Sequence, residues 1–181
     1  MRYSAYIFLI FLIAFGCEKS PNRLLKSDVN LHVENGVTMY MGKPFSGNIV
    51  TYHNTNALAY SCTYNHGRKH GKEEKWYVSG VLAMERFYNK GIKIGLHKGW
   101  WPNKNRKFEF YFNDKGAYQG TMKEWFEDGT LYRDFHYANG KEEGSQKLYQ
   151  PNGNIRANYV VKDGERFGLI GLKKCDAIST M

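Results

Sequence analysis

The 181-residue chain predicts an all-β fold: an elongated, twisted antiparallel array of β-hairpins with about 24 residues to the repeat. Three observations carry this. A glycine recurs at Gly47, Gly71, Gly95, Gly120, Gly144 and Gly168, in steps of 24 residues with a single step of 25. An aromatic stands at the same offset after each of the first five: Tyr52, Trp76, Trp100, Trp125 and Tyr149. Turn dipeptides then punctuate each unit. Ser79-Gly80, Asp128-Gly129 and Asn152-Gly153 divide units, and His66-Gly67, Lys90-Gly91, Lys115-Gly116, Asn139-Gly140 and Asp163-Gly164 close them. Such dipeptides supply the positive φ angles of tight hairpin turns, the strongest short-range hairpin signal.

The first element is a leader, 1–16. Its apolar run from Ala5 to Phe15 follows Arg2 and has the length of a signal-peptide core, short for a membrane span. Ala14 and Gly16 flank Phe15 directly before Cys17, an arrangement similar to a bacterial lipobox. In that reading cleavage leaves Cys17 as a lipid-modified N-terminus; an ordinary secretory cleavage nearby or a retained anchor are the alternatives. Residues 17–36 open with polar "EKSPNR" and read as a tether. The array spans 37–168, beginning with a half unit, "TMYMGKPFSG". Each full unit has two segments of six to eight residues, and about ten to twelve strands are expected. Residues 169–181 read as a cap, since terminal repeats are usually atypical. No segment except the leader has a helical period.

Alternation assigns the faces. Leu131, Arg133, Phe135 and Tyr137, with Ile155, Ala157, Tyr159 and Val161 one unit on, mark the more apolar face and the expected core. One hairpin cannot support itself by such burial, so neighbours must stack. The other face carries His53, Tyr77, Trp101, Phe126 and Gln150, one per unit, with Thr63, Phe87, Tyr111, His136 and Val160 late in the units. This stripe is either a recognition surface or a second face partly buried by curling of the sheet. Candidate binding residues are Trp76, Tyr77, Trp100, Trp101, Trp125 and Phe126. The third unit stands apart: "WWPNKNRKF" lacks the turn glycine, and Arg106 replaces the aliphatic of Leu58, Leu82, Leu131 and Ile155.

No catalytic constellation emerges, and neither a cofactor nor a metal site is expected. His66 and His70 have a spacing that ligates metal on a helix, but they flank Gly67 in an expected turn. Cys62 occupies the column of Phe110, Phe135 and Tyr159, the place of a small buried hydrophobe. With Cys17 modified, Cys62 and Cys175 remain, no disulfide framework. The formal charge is +9, and removal of 1–16 takes away Arg2 alone, leaving +8. That balance suits an acidic protein or anionic lipid headgroups. Nucleic acid is not expected as a partner of an exported chain.

The period of about 24 and the passages "GKPFSG", "GKEEKWYVSGVL", "GTMKEWFEDGTLYRDFHYANGKEEG" and "GSQKLYQPNGNIRANYVVKDG" resemble the bacterial variant of the MORN repeat, the group labelled YwqK-like antitoxins. The resemblance implies a β-hairpin array used for protein or membrane contacts. Combined with the leader, it leads to an expected non-enzymatic, lipid-anchored protein-interaction module on the extracytoplasmic side of the cell envelope, at the outer membrane if there are two membranes. The alternatives are an antitoxin or immunity protein and a module binding anionic membrane surfaces.

Overall fold

The computed structural model describes residues 21–171. The leader, Cys17 and the segment 172–181 with Cys175 lie outside the described residues. Fifteen strands follow one another, with no helix among the described residues: β1 (Arg23–Leu25), β2 (Leu31–Glu34), β3 (Val37–Tyr40), β4 (Lys43–Pro44), β5 (Gly47–Tyr52), β6 (Leu58–Asn65), β7 (Arg68–Trp76), β8 (Leu82–Asn89), β9 (Ile92–Trp100), β10 (Arg106–Phe112), β11 (Tyr118–Trp125), β12 (Leu131–Ala138), β13 (Lys141–Tyr149), β14 (Ile155–Lys162) and β15 (Glu165–Leu169). Twelve of them make one open sheet, β1 followed by β5 through β15 in chain order, and β2–β4 make a small separate sheet. The main sheet is the expected hairpin meander: every neighbouring pair from β5 onward is antiparallel.

The two edges of the meander use different turns. On one edge His66-Gly67, Lys90-Gly91, Asn139-Gly140 and Asp163-Gly164 all have positive φ at both residues, the two-residue hairpin geometry that matches strand twist. The β10–β11 turn is longer. There Asn113 N donates to Ala117 O (2.9 Å) and Gly116 N to Asn113 O (3.1 Å), which accounts for the single step of 25. The opposite edge uses three-residue loops throughout. The amides of His53, Tyr77, Trp101, Phe126 and Gln150 each donate to the carbonyl four residues ahead, at 2.8–2.9 Å. The residue before that carbonyl is left-handed in every copy: Asn56, Gly80, Lys104, Gly129 and Gly153. The third unit therefore keeps the turn without its glycine, holding Lys104 at φ 71° at a cost of about 1–2 kcal/mol.

The recurrent glycine has a different role from the turn glycines. Gly71, Gly95, Gly120 and Gly144 have φ between 67° and 78° and lie in mid-strand. At each, four residues of the glycine strand span two of its predecessor: Cys62 and Tyr64 pair with Glu73 and Lys69, and Phe135 and Tyr137 with Gln146 and Glu142. This is a β-bulge that needs a left-handed residue. Because two residues are extra, the inside–outside alternation resumes in phase. A second, one-residue bulge lies near the other end, where Tyr52, Trp76, Trp100, Trp125 and Tyr149 pair with Leu58, Leu82, Arg106, Leu131 and Ile155. It brings the key aromatic level with the aliphatic column.

Along β14 the buried face is the expected one, whereas every residue of β12 is partly buried and neither of its faces stands out. Along β14, Ala157, Tyr159 and Val161 are buried while their alternates are exposed, and only Ile155 of the expected set, at the strand's mouth, is exposed. The segment 17–36, expected as a tether, is instead structured from residue 23. Strand β1 pairs in parallel with β5, and Leu24 packs with Phe45 and Ile49, with Leu31, Tyr40 and Tyr64 around them. Three residues are too short to leave a readable alternation. Phe45 is wholly buried and plugs this end of the array. At the other end all of β15 is exposed, and Phe167, Leu169 and Ile170 stay about half accessible.

Packing within the third unit is complementary. Gly99 is buried and a Cβ there would overlap the Phe108 ring, which stacks on Phe110 at 4.6 Å. Replacing Gly99→Ala is expected to destabilise the chain by about 1–3 kcal/mol. Urea unfolding would measure this, and Phe108→Leu in the same chain should restore part of the loss.

Candidate functional site

The turn edge with three-residue loops gathers the candidate residues. Trp76, Trp100 and Trp125 end β7, β9 and β11, and Tyr77, Trp101 and Phe126 open the loops that follow. All six are partly buried. The polar atoms of the loop-opening residues are spent on the next unit. His53 Nε2 meets Trp76 O at 3.0 Å, Tyr77 Oη donates to Trp100 O at 2.9 Å, and Trp101 Nε1 donates to Trp125 O at 3.1 Å. Each clasp satisfies the carbonyl of the key aromatic one repeat ahead. The stripe expected from alternation is thus divided: its first row belongs to the loops, and its second row, with Tyr111 and Val160 each 48% exposed, lies in mid-strand.

The third unit concentrates positive charge on aromatic rings. Arg106, directly opposite Trp100, holds its guanidinium 4.8 Å from the Trp100 ring centroid, and Lys107 Nζ lies 4.1 Å from that of Trp101. These are cation–π distances. The loop is locked to its neighbour, since Asn103 Nδ2 and Asn105 Nδ2 both donate to Glu127 O, at 2.7 and 2.9 Å. Between this loop and the one before it lies a notch of about 510 Å³, lined by Ser79–Leu82, Trp100 and Lys104.

A column that sequence alternation left unassigned turns out to be the centre of the core. The residue two places after each recurrent glycine is buried in every full unit: Ile49, Glu73, His97, Met122 and Gln146. Three of the five are polar. Gln146 explains why. Its Nε2 donates to His136 O at 2.8 Å, and its Oε1 accepts from His136 N at 3.3 Å. The bulge pulls the strand away there, and the side chain takes over the missing ladder bonds. His97 does the same in its unit, with Nε2 at 3.2 Å from Phe87 N and 3.0 Å from Phe87 O, the ring tautomer deciding which bond forms. Its ring packs between Tyr88 and Phe112. Burial pushes the His97 imidazole below its ordinary value, and repulsion from Arg86 and Lys93 acts in the same direction.

Glu73 is a buried carboxylate with a full set of donors. Tyr60 Oη donates to Oε1 and Tyr88 Oη to Oε2, both at 3.0 Å, and Lys69 Nζ binds Oε1. Burial alone would raise this carboxyl, but the hydrogen bonds and the Lys69 charge outweigh it and hold it below its usual range. Burial also lifts the surrounding hydroxyls: Tyr60 is raised, and Tyr64 and Tyr88 are pushed up to about 12. Cys62 is buried beside them and its thiol is likewise raised. The fixed charges and protonated phenols form a satisfied polar core. His66 sits in its turn at φ 48°, its amide bound to Ser46 Oγ and its Nδ1 to Asn65 Oδ1. Among the described residues no group of three or more His, Cys, Asp or Glu converges as a metal would require.

With this geometry in place, comparison with known proteins adds one finding. Residues 118–139 match the MORN repeat variant. The match covers β11, its three-residue loop and β12, a single hairpin of the array. No curated protein matches the chain.

Two expectations follow. Replacing Tyr77→Phe removes one clasp and should cost about 0.5–1.5 kcal/mol in urea unfolding, without change of fold. His97 titrates lower in the fold than its ordinary 6.5, so the unfolded chain takes up the proton first. Its contribution is complete above 6.5 and is lost as pH falls from there toward the folded value. Glu73, held below 4.5, adds a second loss as pH falls through its own folded value. Unfolding free energies measured from pH 7.5 to 4 should show the upper limb in the wild type and lack it in His97→Gln, which borrows the solution of the fifth unit.

Proposed function

We propose that the chain is a non-enzymatic, lipid-anchored repeat lipoprotein that binds a protein partner at the cell envelope. In this reading Cys17 carries the anchor and the array stands away from the membrane on the extracytoplasmic side. The observation that carries the interaction role is the third unit, where Trp100 and Trp101 hold Arg106 and Lys107 on their rings beside the notch and Lys104. Aromatic and arginine side chains around a surface notch have the composition of a binding hot spot. The cations select an acidic segment of the partner, and the net positive charge speeds encounter. Trp76, Tyr77, Trp125 and Phe126 flank this centre, and two clasps hold it, Tyr77 on Trp100 O and Trp101 on Trp125 O. The repeat hairpin at 118–139 supports the same class of role, a repeat module for protein or membrane contacts. An antitoxin role is the special case in which the captured partner is a toxin.

Affinity capture from solubilised envelope tests this, with the purified chain as bait at low and high salt. One acidic protein retained by the wild type, and lost with Lys104→Glu plus Lys107→Glu, is the expected result. Both lysines are at or near the surface, so circular dichroism should be unchanged. Equal retention by the charge-reversed chain would remove the third unit from the interaction. Flotation with anionic vesicles and no retained protein would turn the reading to membrane-surface binding.

A further inference from the structure

The junction between the small sheet and the main sheet holds a cleft with two chambers. One, of about 360 Å³, is walled by Leu31 and Val33 of β2, Ile49 of β5, and Tyr60 and Tyr64 of β6. The other, of about 440 Å³, is polar, with Lys26, Lys75 and Thr51 around it and Glu73 beneath. They share Lys26, Tyr60 and Lys69 and meet at those side chains. Sites of this size, apolar with a few placed polar groups and lying between structural units, are the usual form of a small-ligand pocket.

The charges are unequally committed. Lys69 is bound to Glu73, which Tyr60 and Tyr88 complete. Lys26 and Lys75 form no ion pair among the described residues. Lys75 lies directly opposite Tyr60, and Lys26 Nζ is 5.8 Å from the centre of the Tyr60 ring. Two ammonium groups outside any ion pair therefore line the polar chamber, Lys26 at its junction with the apolar one and Lys75 deeper in the polar part. A carboxylate on the floor does not repel an anion there, because its charge is matched by Lys69.

We propose that this cleft binds a single-tailed anionic amphiphile, its acidic head between Lys26 and Lys75 and its hydrocarbon tail against Leu31, Val33, Ile49 and Tyr64. The head gains charge-assisted hydrogen bonds, with the Thr51 hydroxyl as a further donor. The tail removes apolar wall from water, and specificity for one tail follows from the enclosure by two sheets. The site is separate from the notch of the third unit and does not depend on it.

The test uses the purified full chain and a decanoate probe carrying a photoreactive diazirine, with the crosslinked positions mapped by mass spectrometry. Adducts are expected on residues 26–33 and 60–69, displaced by unlabelled decanoate and not by decanol. Labelling by a limiting concentration of probe should fall about tenfold with Lys26→Gln plus Lys75→Gln, as expected for two lost charged contacts. It should also be lost with Val33→Trp, which fills the apolar chamber from its exposed rim. A decyl phosphate competitor separates a carboxylate preference from recognition of any anionic head. Adducts scattered over the chain, equal displacement by decanol, or labelling unchanged in both variants would overturn the proposal.

Discussion

A left-handed glycine in the middle of every second strand is the constraint on which the array depends. Gly71, Gly95, Gly120 and Gly144 each let their strand carry two residues more than its predecessor. A bulge of this kind bends the strand and increases its twist, and repeating it in each unit gives the sheet one side where side chains crowd together. The bulge also opens the backbone ladder. In two units the gap is filled from within, by His97 against Phe87 and by Gln146 against His136. In those two units a buried polar side chain goes with the bulge, because the unpaired backbone would cost more than its burial.

Stacking is reinforced at both edges by contacts that recur from unit to unit: on one edge His53, Tyr77 and Trp101 reach the carbonyl of the next unit's key aromatic with three different donor groups. On the other edge Gly67 N bonds to Phe45 O, Gly91 N to Lys69 O and Gly140 N to Tyr118 O, at 2.7–2.8 Å. Each unit is therefore tied only to its neighbours, the condition for a quasi-one-dimensional solid. The ends differ because the chain supplies a plug at only one. Leu24 and Phe45 close the first unit. Ile170 stands in the column that is buried in every full unit, yet it is 54% exposed, since no hairpin follows β15 among the described residues.

Functional differences among the units arise where the repeat is broken. The third unit departs from the column by one residue, Arg106, and from the turn by another, Lys104. Those two changes, with Lys107, turn an ordinary hairpin mouth into an aromatic and cationic surface beside a notch. The first unit departs by its partner: a small sheet packs where a preceding hairpin would be, and a two-chambered cleft remains between them. In both places the exceptional side chains sit on a scaffold with its own local ties, Asn103 and Asn105 on Glu127 O in the third unit and Leu24 on Phe45 in the first.

By itself the sequence determined the architecture. Hairpin turns and the 24-residue period are local signals, so the all-β meander, its strand count and the core face of β14 were all legible. The departure of the third unit was legible too, as a broken column. Tertiary structure decided what those residues do. Tyr77 and Trp101 read as part of one stripe, exposed or partly buried, because alternation assigns a face without knowing that the strand has ended and the loop begun. The core column of Glu73, His97 and Gln146 was hidden because its residues are polar: His97 and Gln146 are buried against backbone that the bulge leaves unpaired, and Glu73 against the Lys69, Tyr60 and Tyr88 side chains. Strand β1 was missed for a related reason: three residues have no period, and their place beside β5 follows from Leu24 finding the cavity next to Phe45, a contact between segments about twenty residues apart.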